Sequence, residues 1–307
     1  MSSTQSGVAR AQAAAPLASP AVRQLAREQG IDLTALAARL GKSYLAESDL
    51  AAAAGANAAA NAAARGAGDT PDRDSLGPGE AQPLSRLEKL AGANLLDSHQ
   101  RIPTVTHHDA LDTGAVEALR AALADEAATR GLRLSALSLH ALALARSLAA
   151  FPRFNAALTD GGESLWLKRD IHIGIAVDTP HGLMVPVLRN ADRIGLWEIA
   201  AGIADLAARA RQRKLDPSEM RGAGMSISSL GGIGGRGFTP MINPPEVAIL
   251  GITRTRTEAV WDGGQFQPRQ LCPLDLSYDH RVINGADAAR FMGHYIGLLE
   301  SPRKLLF

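Results

Sequence analysis

Two stretches late in the chain combine residues able to do acid–base chemistry with patterns that would hold them rigidly. In LDLSYDHRVINGADAARF, residues 274–291, Leu274, Leu276 and Tyr278 alternate with Asp275, Ser277 and Asp279, which is the period of a strand. His280 follows at once, Asn284-Gly285 comes next, and Ala288, Phe291, Met292, Tyr295 and Leu299 then recur at helical spacing. Asn284 with Asp287 reads as a helix N-cap and its acid. An imidazole between a strand end and a helix start is held by two elements and can still face a cleft, as a general base must. By residue type alone, a histidine near a strand end is more often a surface or satisfied core histidine, and Asn284 could be a cap and nothing more.

In GMSISSLGGIGGRGFTPMINPPEVAILGI, residues 224–252, Met225 and Ile227 alternate with Ser226 and Ser228, so both serines share one strand face. Gly232, Gly234 and Gly237 have the spacing of a dinucleotide fingerprint. Phe238-Thr239-Pro240 and Pro244-Pro245 forbid the helix which that fingerprint requires, and no phosphate-binding lysine follows. The glycines instead predict a turn with tight backbone approach at a cleft. A serine here could donate to an oxyanion or merely be solvated. Asp97, His99, His107, His108 and Asp109 lie near one another and raise a metal site. Adjacent histidines in a strand point to opposite faces, so no metal is expected. Cys272, the single cysteine, sits beside Leu271, Pro273 and Leu274 and reads as a packed thiol. It excludes an intrachain disulfide and suits a reducing cytoplasm.

The elements that must position these residues need a core, and 307 residues with 46% hydrophobic content supply one large core and one small unit. A net charge of +1 and 4% aromatic residues leave neither a basic field nor stacking side chains, which argues against nucleic acid. The N-terminus lacks an apolar signal core, and no apolar run is long enough to span a membrane. Residues 1–18 read as a disordered tail. Residues 19–50 read as a small helical unit: Ser19-Pro20 starts a helix, Val22, Leu25 and Ala26 form its stripe, Gly30 ends it, and Asp32 caps the next. Residues 51–84 are an Ala/Gly/Pro-rich linker. Residues 85–307 form the main domain. It opens on a short helix capped by Ser85 and a strand at Val105-Thr106. Helices follow through Val116, Leu119 and Leu123 and over 135–150. Strand runs SLWLKR, DIHIGIAVDT and GLMVPVLRN come next, then a helix over 196–214.

DHRVINGADAARF resembles the Asp-His-Arg-x-x-Asp-Gly signature of the dihydrolipoamide acyltransferases, the core subunits of 2-oxo acid dehydrogenase complexes. Asn284 stands where Asp is more usual. ISSLG at 227–231 resembles the same family's serine motif and assigns the functional serine to Ser228. IGIAVDTPHGLMVPVLRNAD resembles its central hairpin. GGIGGRGFTP, WDGGQFQPR and LSYDHRVINGADAARF lean to the pyruvate-type branch. SPAVRQLAREQGIDL resembles the peripheral subunit-binding domain of these acyltransferases. Its second half is degenerate, with Gly41 the only glycine of AARLGKSYL and Tyr44 where an arginine is usual.

The resemblance implies an α/β two-layer sandwich of the chloramphenicol acetyltransferase-like type, preceded by the small all-α binding module. It implies transfer of an acyl group, acetyl in the pyruvate-type branch, between dihydrolipoamide and coenzyme A. His280 would be the general base, Ser228 the oxyanion donor and Asn284 the residue that positions His280 or its loop. Asp279 and Arg281 read as a structural pair. Arg86 and Lys89 are the candidates for contacting coenzyme A. The implied assembly is a homotrimer, with cubic cores of 24 chains, and the histidine of one chain facing the serine of its neighbour. Residues 19–50 would dock dihydrolipoamide dehydrogenase or the 2-oxo acid decarboxylase component. Too few residues precede them for a lipoyl domain, so either the chain is truncated or lipoamide is supplied in trans, from a lipoyl domain of another chain. Two rivals stay open: a non-catalytic core or partner-binding scaffold, and a coenzyme A-dependent small-molecule acetyltransferase.

Overall fold

In the computed structural model the chain divides into two compact units between Gln82 and Pro83. The structure describes residues 16–28, 31–50 and 73–306. Most of the expected tail and linker, and Gly30, lie outside the described residues.

The small unit begins earlier than composition indicates. Leu17–Ala18 (β1) pairs in parallel with Tyr44–Leu45 (β2), so its helices are closed by a short strand pair. Between them run α1 (Pro20–Glu28) and α2 (Leu33–Leu40). Asp32 caps α2 by accepting from the backbone N–H groups of Thr34 and Ala35 at 2.8 and 3.3 Å, and Gly41 ends it at φ 64°, where a side chain would be strained. Val22, Ala26, Leu36, Ala37, Leu45 and Leu50 form its core.

The large unit is built on one mixed sheet. Its path runs β10 (Arg256–Trp261), β11 (Phe266–Asp279), β9 (Ala248–Ile252), β8 (Met225–Ser229), β6 (Ile173–Ile175) and β7 (Val187–Leu188), and β3 (Thr104–Asp112) pairs with β11. β11 is antiparallel to β3, β9 and β10, while β9, β8 and β6 are parallel. A small separate sheet joins β4 (Ala156–Thr159) and β5 (Ser164–Leu167). The strands read from 164–190 are shorter than their sequence predicts. Pro186 offers no N–H, and pairing beyond Ile175 continues only as a Val177–Met184 bridge.

One face of the sheet carries the core. Leu274, Leu276 and Tyr278 join Ala288, Phe291, Met292, Tyr295 and Leu299 from the helix Gly285–Glu300, together with buried residues of Ala136–Ala150 and Leu196–Arg211. The other face is polar and also buried. Asp275, Ser277 and Asp279 are each at most 2% exposed. This is tolerable because each has partners. Asp275 accepts from His108 Nδ1 at 2.6 Å and from Phe238 N–H at 3.0 Å. Ser277 bonds Thr106 at 2.8 Å. Asp279 holds Arg281 with contacts of 2.7–3.2 Å. His107 lies 3.6 Å from Asp109 instead, so the paired histidines do serve different faces. The segment 238–245 covers the polar face with help from Arg86–Arg101, a helix of 16 residues and so longer than expected. Ser98 Oγ donates to Ile242 O at 2.7 Å, and Ile102, Ile242 and Ile249 cluster there.

Candidate active site

β8 delivers Ser228 to a cavity of about 250 Å³ walled by Ser226, Ser228, Val185, Asn243 and the Phe238–Ile242 segment. Gly251 on β9 pairs with Ser228, and a side chain there would collide with the Phe238 ring at 2.9 Å. Only glycine lets that aromatic wall close over the strand. Ser228 is half-buried at the rim, whereas Ser226 is buried.

Ser226 rests on a residue the sequence reading passed over. Its hydroxyl donates to Glu246 Oε1 at 2.9 Å, and Asn243 Nδ2 donates to the same oxygen at 3.2 Å. Glu246 is 4% exposed and its Oε2 has no partner. Burial pushes its carboxyl up to about 7, against the hydrogen bonds from Ser226 and Asn243 and the charge of Lys168. Buried acids raised in this way recur beside functional clefts. The available signal was a glutamate set between Pro245 and the apolar run Val247–Ile252.

His280 sits at the far end of the sheet. Its backbone N–H donates to Pro103 O at 3.0 Å, and those of Val282 and Ile283 donate to Asp279 O at 2.9 and 3.0 Å. Val282 and Ile283 are buried. The backbone is thus locked on both sides while the imidazole is exposed, 5.8 Å from the Tyr278 ring. Asn284 caps the following helix, its Oδ1 accepting from Asp287 N–H at 2.9 Å. That bond fixes the exit of the histidine loop rather than the ring. Arg281 is paired to buried Asp279, as the sequence indicated.

One chain does not bring His280 and Ser228 together. Ser228 is level with Gly251, and Gly251 with Asp275. His280 is five residues further along β11 and two strands across, which sets the pair roughly 15–20 Å apart. Arg86 and Lys89 are exposed near the start of their helix and outside the cavity wall, to which the same helix contributes Asn94 and Leu95. Cys272 is a buried thiol, with Sγ 3.4 Å from Thr253 O. Among the described residues no helix is long and apolar enough to cross a membrane.

Residues 77–307 match the family model described as 2-oxoacid dehydrogenases acyltransferase (catalytic domain), and residues 16–41 match an e3 binding domain. The chain is 44% identical over 303 residues to the dihydrolipoyllysine-residue acetyltransferase component of the Pseudomonas aeruginosa pyruvate dehydrogenase complex, covering 94% of this chain and 54% of that protein. It spans about half the length of the curated relatives it matches. Among solved structures, the Azotobacter vinelandii dihydrolipoamide acetyltransferase aligns at a TM-score of 0.75 and 45% identity, covering 78% of this chain and 98% of that one. That structure accompanies a study of a serine, a histidine and an asparagine in its catalytic mechanism. The cubic core of a pyruvate dehydrogenase multienzyme complex aligns at a TM-score of 0.75 and 46% identity, with the same coverage. The chain therefore belongs to the 2-oxoacid dehydrogenase acyltransferase family.

Proposed function

We propose that this protein transfers an acetyl group between the thiols of dihydrolipoamide and coenzyme A, at sites completed by two neighbouring subunits. The observation that carries this reading is a match of spacing. Ser228, His280 and Asn284 have the same separations along the chain as the serine, histidine and asparagine studied in the Azotobacter vinelandii enzyme.

The chemistry follows from the groups themselves. His280 takes the proton of the attacking thiol; between a free thiol, near ~8.5, and a free imidazole, near ~6.5, such a transfer is uphill by roughly 3 kcal/mol. A positioned pair can absorb that. The thiolate attacks the thioester carbonyl carbon, and the Ser228 hydroxyl donates to the oxyanion that forms. The tetrahedral adduct collapses, the carbon–sulfur bond to the other thiol breaks, and the imidazolium returns its proton to that sulfur. Asn284 holds the loop of His280 through the helix it caps.

The distance between His280 and Ser228 within one chain supports a shared site. So do Leu90, Leu95 and Leu96, which are 47–56% exposed on one helix and call for an apolar partner. We place the chains in homotrimers that build a cubic core like that of the aligned complex. The unit around 16–50 docks dihydrolipoamide dehydrogenase, as its family match supports. The single thiol suits a cytoplasmic setting.

The test is acetyl transfer from acetyl-coenzyme A to free dihydrolipoamide, with wild type and His280→Ala compared at equal assembly. Activity lost with the imidazole supports the reading. An assembled wild type that transfers nothing overturns it in favour of the scaffold.

A further inference from the structure

We infer that Glu246 is a positioning residue which sets the hydrogen-bond polarity of the cavity wall beside Ser228, acting through the hydroxyl of Ser226. Its effect on rate rests on the acyl-transfer reading, whereas the switch itself does not. Ser226 and Asn243 both belong to the wall, and both point their donors at one oxygen of a carboxyl that is almost wholly buried. The second oxygen has no partner. An unpaired buried oxygen is far more costly on an anion than on a neutral acid.

The wall therefore has two states. With Glu246 ionised, Ser226 must donate to it, and only the lone pairs of Oγ are left for a ligand in the cavity. With Glu246 protonated, the acid donates to Oγ, and the Ser226 proton turns toward the cavity. The second state adds a donor on the strand face that Ser228 shares, where a thioester carbonyl gains negative charge. Burial places the change at about 7. Lys168, which is half-buried and donates to Ala223 O, is the charged group that acts on Glu246 among the described residues. The neutral faces are Ser226 from β8 and Asn243 from the covering segment. Gly174 is paired with Ser226 on β6. Any side chain there would collide with Oγ, so this glycine leaves the room that the hydroxyl occupies.

Two measurements on the assembled protein test this. Infrared difference spectra of wild type against Glu246→Gln should show one protonated carboxyl that ionises with a midpoint near 7. Acetyl transfer by wild type should show a falling limb as pH rises through that midpoint, opposite in sign to the rising limb of a histidine base. Both Glu246→Gln and Ser226→Ala should lose the falling limb and keep the rising one. The inference is overturned by a carboxyl that ionises at its ordinary acidic pH, by a wild-type profile without the falling limb, or by a limb that survives in both variants. A wild type with no transfer at any pH defeats the acyl-transfer reading, and the infrared titration then decides the switch alone.

Discussion

The two ends of the central sheet carry the two halves of the proposed chemistry and are built in opposite ways. At the Ser228 end the side chains are enclosed by a cavity and an aromatic wall laid over Gly251. At the His280 end the backbone is fixed and the ring is open, and the buried acid, Asp279, is fully engaged by Arg281. One end is a pocket without a base, and the other is a base without a pocket. On the proposed reading each such sheet is half of two sites, and a neighbouring copy supplies the complement.

The largest effect should come from the open end. His280→Ala should cut acetyl transfer by about 10²–10⁴ with assembly and melting temperature preserved, because the ring is exposed and its loop is held by backbone hydrogen bonds. Steady-state rates and size measured on the same sample check this. Ser228→Ala should follow, at about 10²–10³ in kcat. Equal losses in stability and rate would place Ser228 in the structure rather than in the chemistry.

The buried acids sharpen the contrast through pH. The Glu246 carboxyl is raised in the folded state, from 4.5 to about 7. Its stabilising protonation is complete below 4.5 and is lost as pH rises through about 7. Urea titrations should therefore show Glu246→Gln gaining on wild type across that window, by up to roughly 3 kcal/mol. His140 has the opposite sign. It is buried and bonded to Tyr295, and burial lowers it to about 4, so its contribution weakens as pH falls from 6.5 toward 4. Taking the difference between the two proteins cancels it. The smallest effect is at Asn284. Losing the cap in Asn284→Ala should cost about 1 kcal/mol, and Asn284→Asp should restore it. Chemical denaturation measures both.

Much of this was legible in the sequence where local pattern and tertiary role agree. The alternation through 274–279, His280 and the Asn284 cap lie within one short stretch, and each reads as it folds. Ser226 and Ser228 were placed on one strand face by periodicity alone. What escaped depended on distant partners. β3 carries THHDAL, which is poor strand sequence, and holds through nine pairs with β11. The helix Arg86–Arg101 is longer than its pattern predicts because Leu90, Leu95 and Leu96 stay about half exposed and its pattern marks no continuous buried stripe. Glu246 was missed because a lone acid near prolines looks like a turn, and its burial is visible only once β9 and the covering segment are in place. The separation of His280 from Ser228 follows from strand order, which no local pattern encodes.

Co-assembly of His280→Ala chains with Ser228→Ala chains tests the central claim most directly. If each site takes its histidine from one subunit and its serine from the next, random mixing leaves roughly a quarter of sites with both groups intact. The mixed particles should then recover about that share of wild-type acetyl transfer, while each parent alone stays inactive. Mixed particles no more active than the two parents would contradict a site shared between subunits.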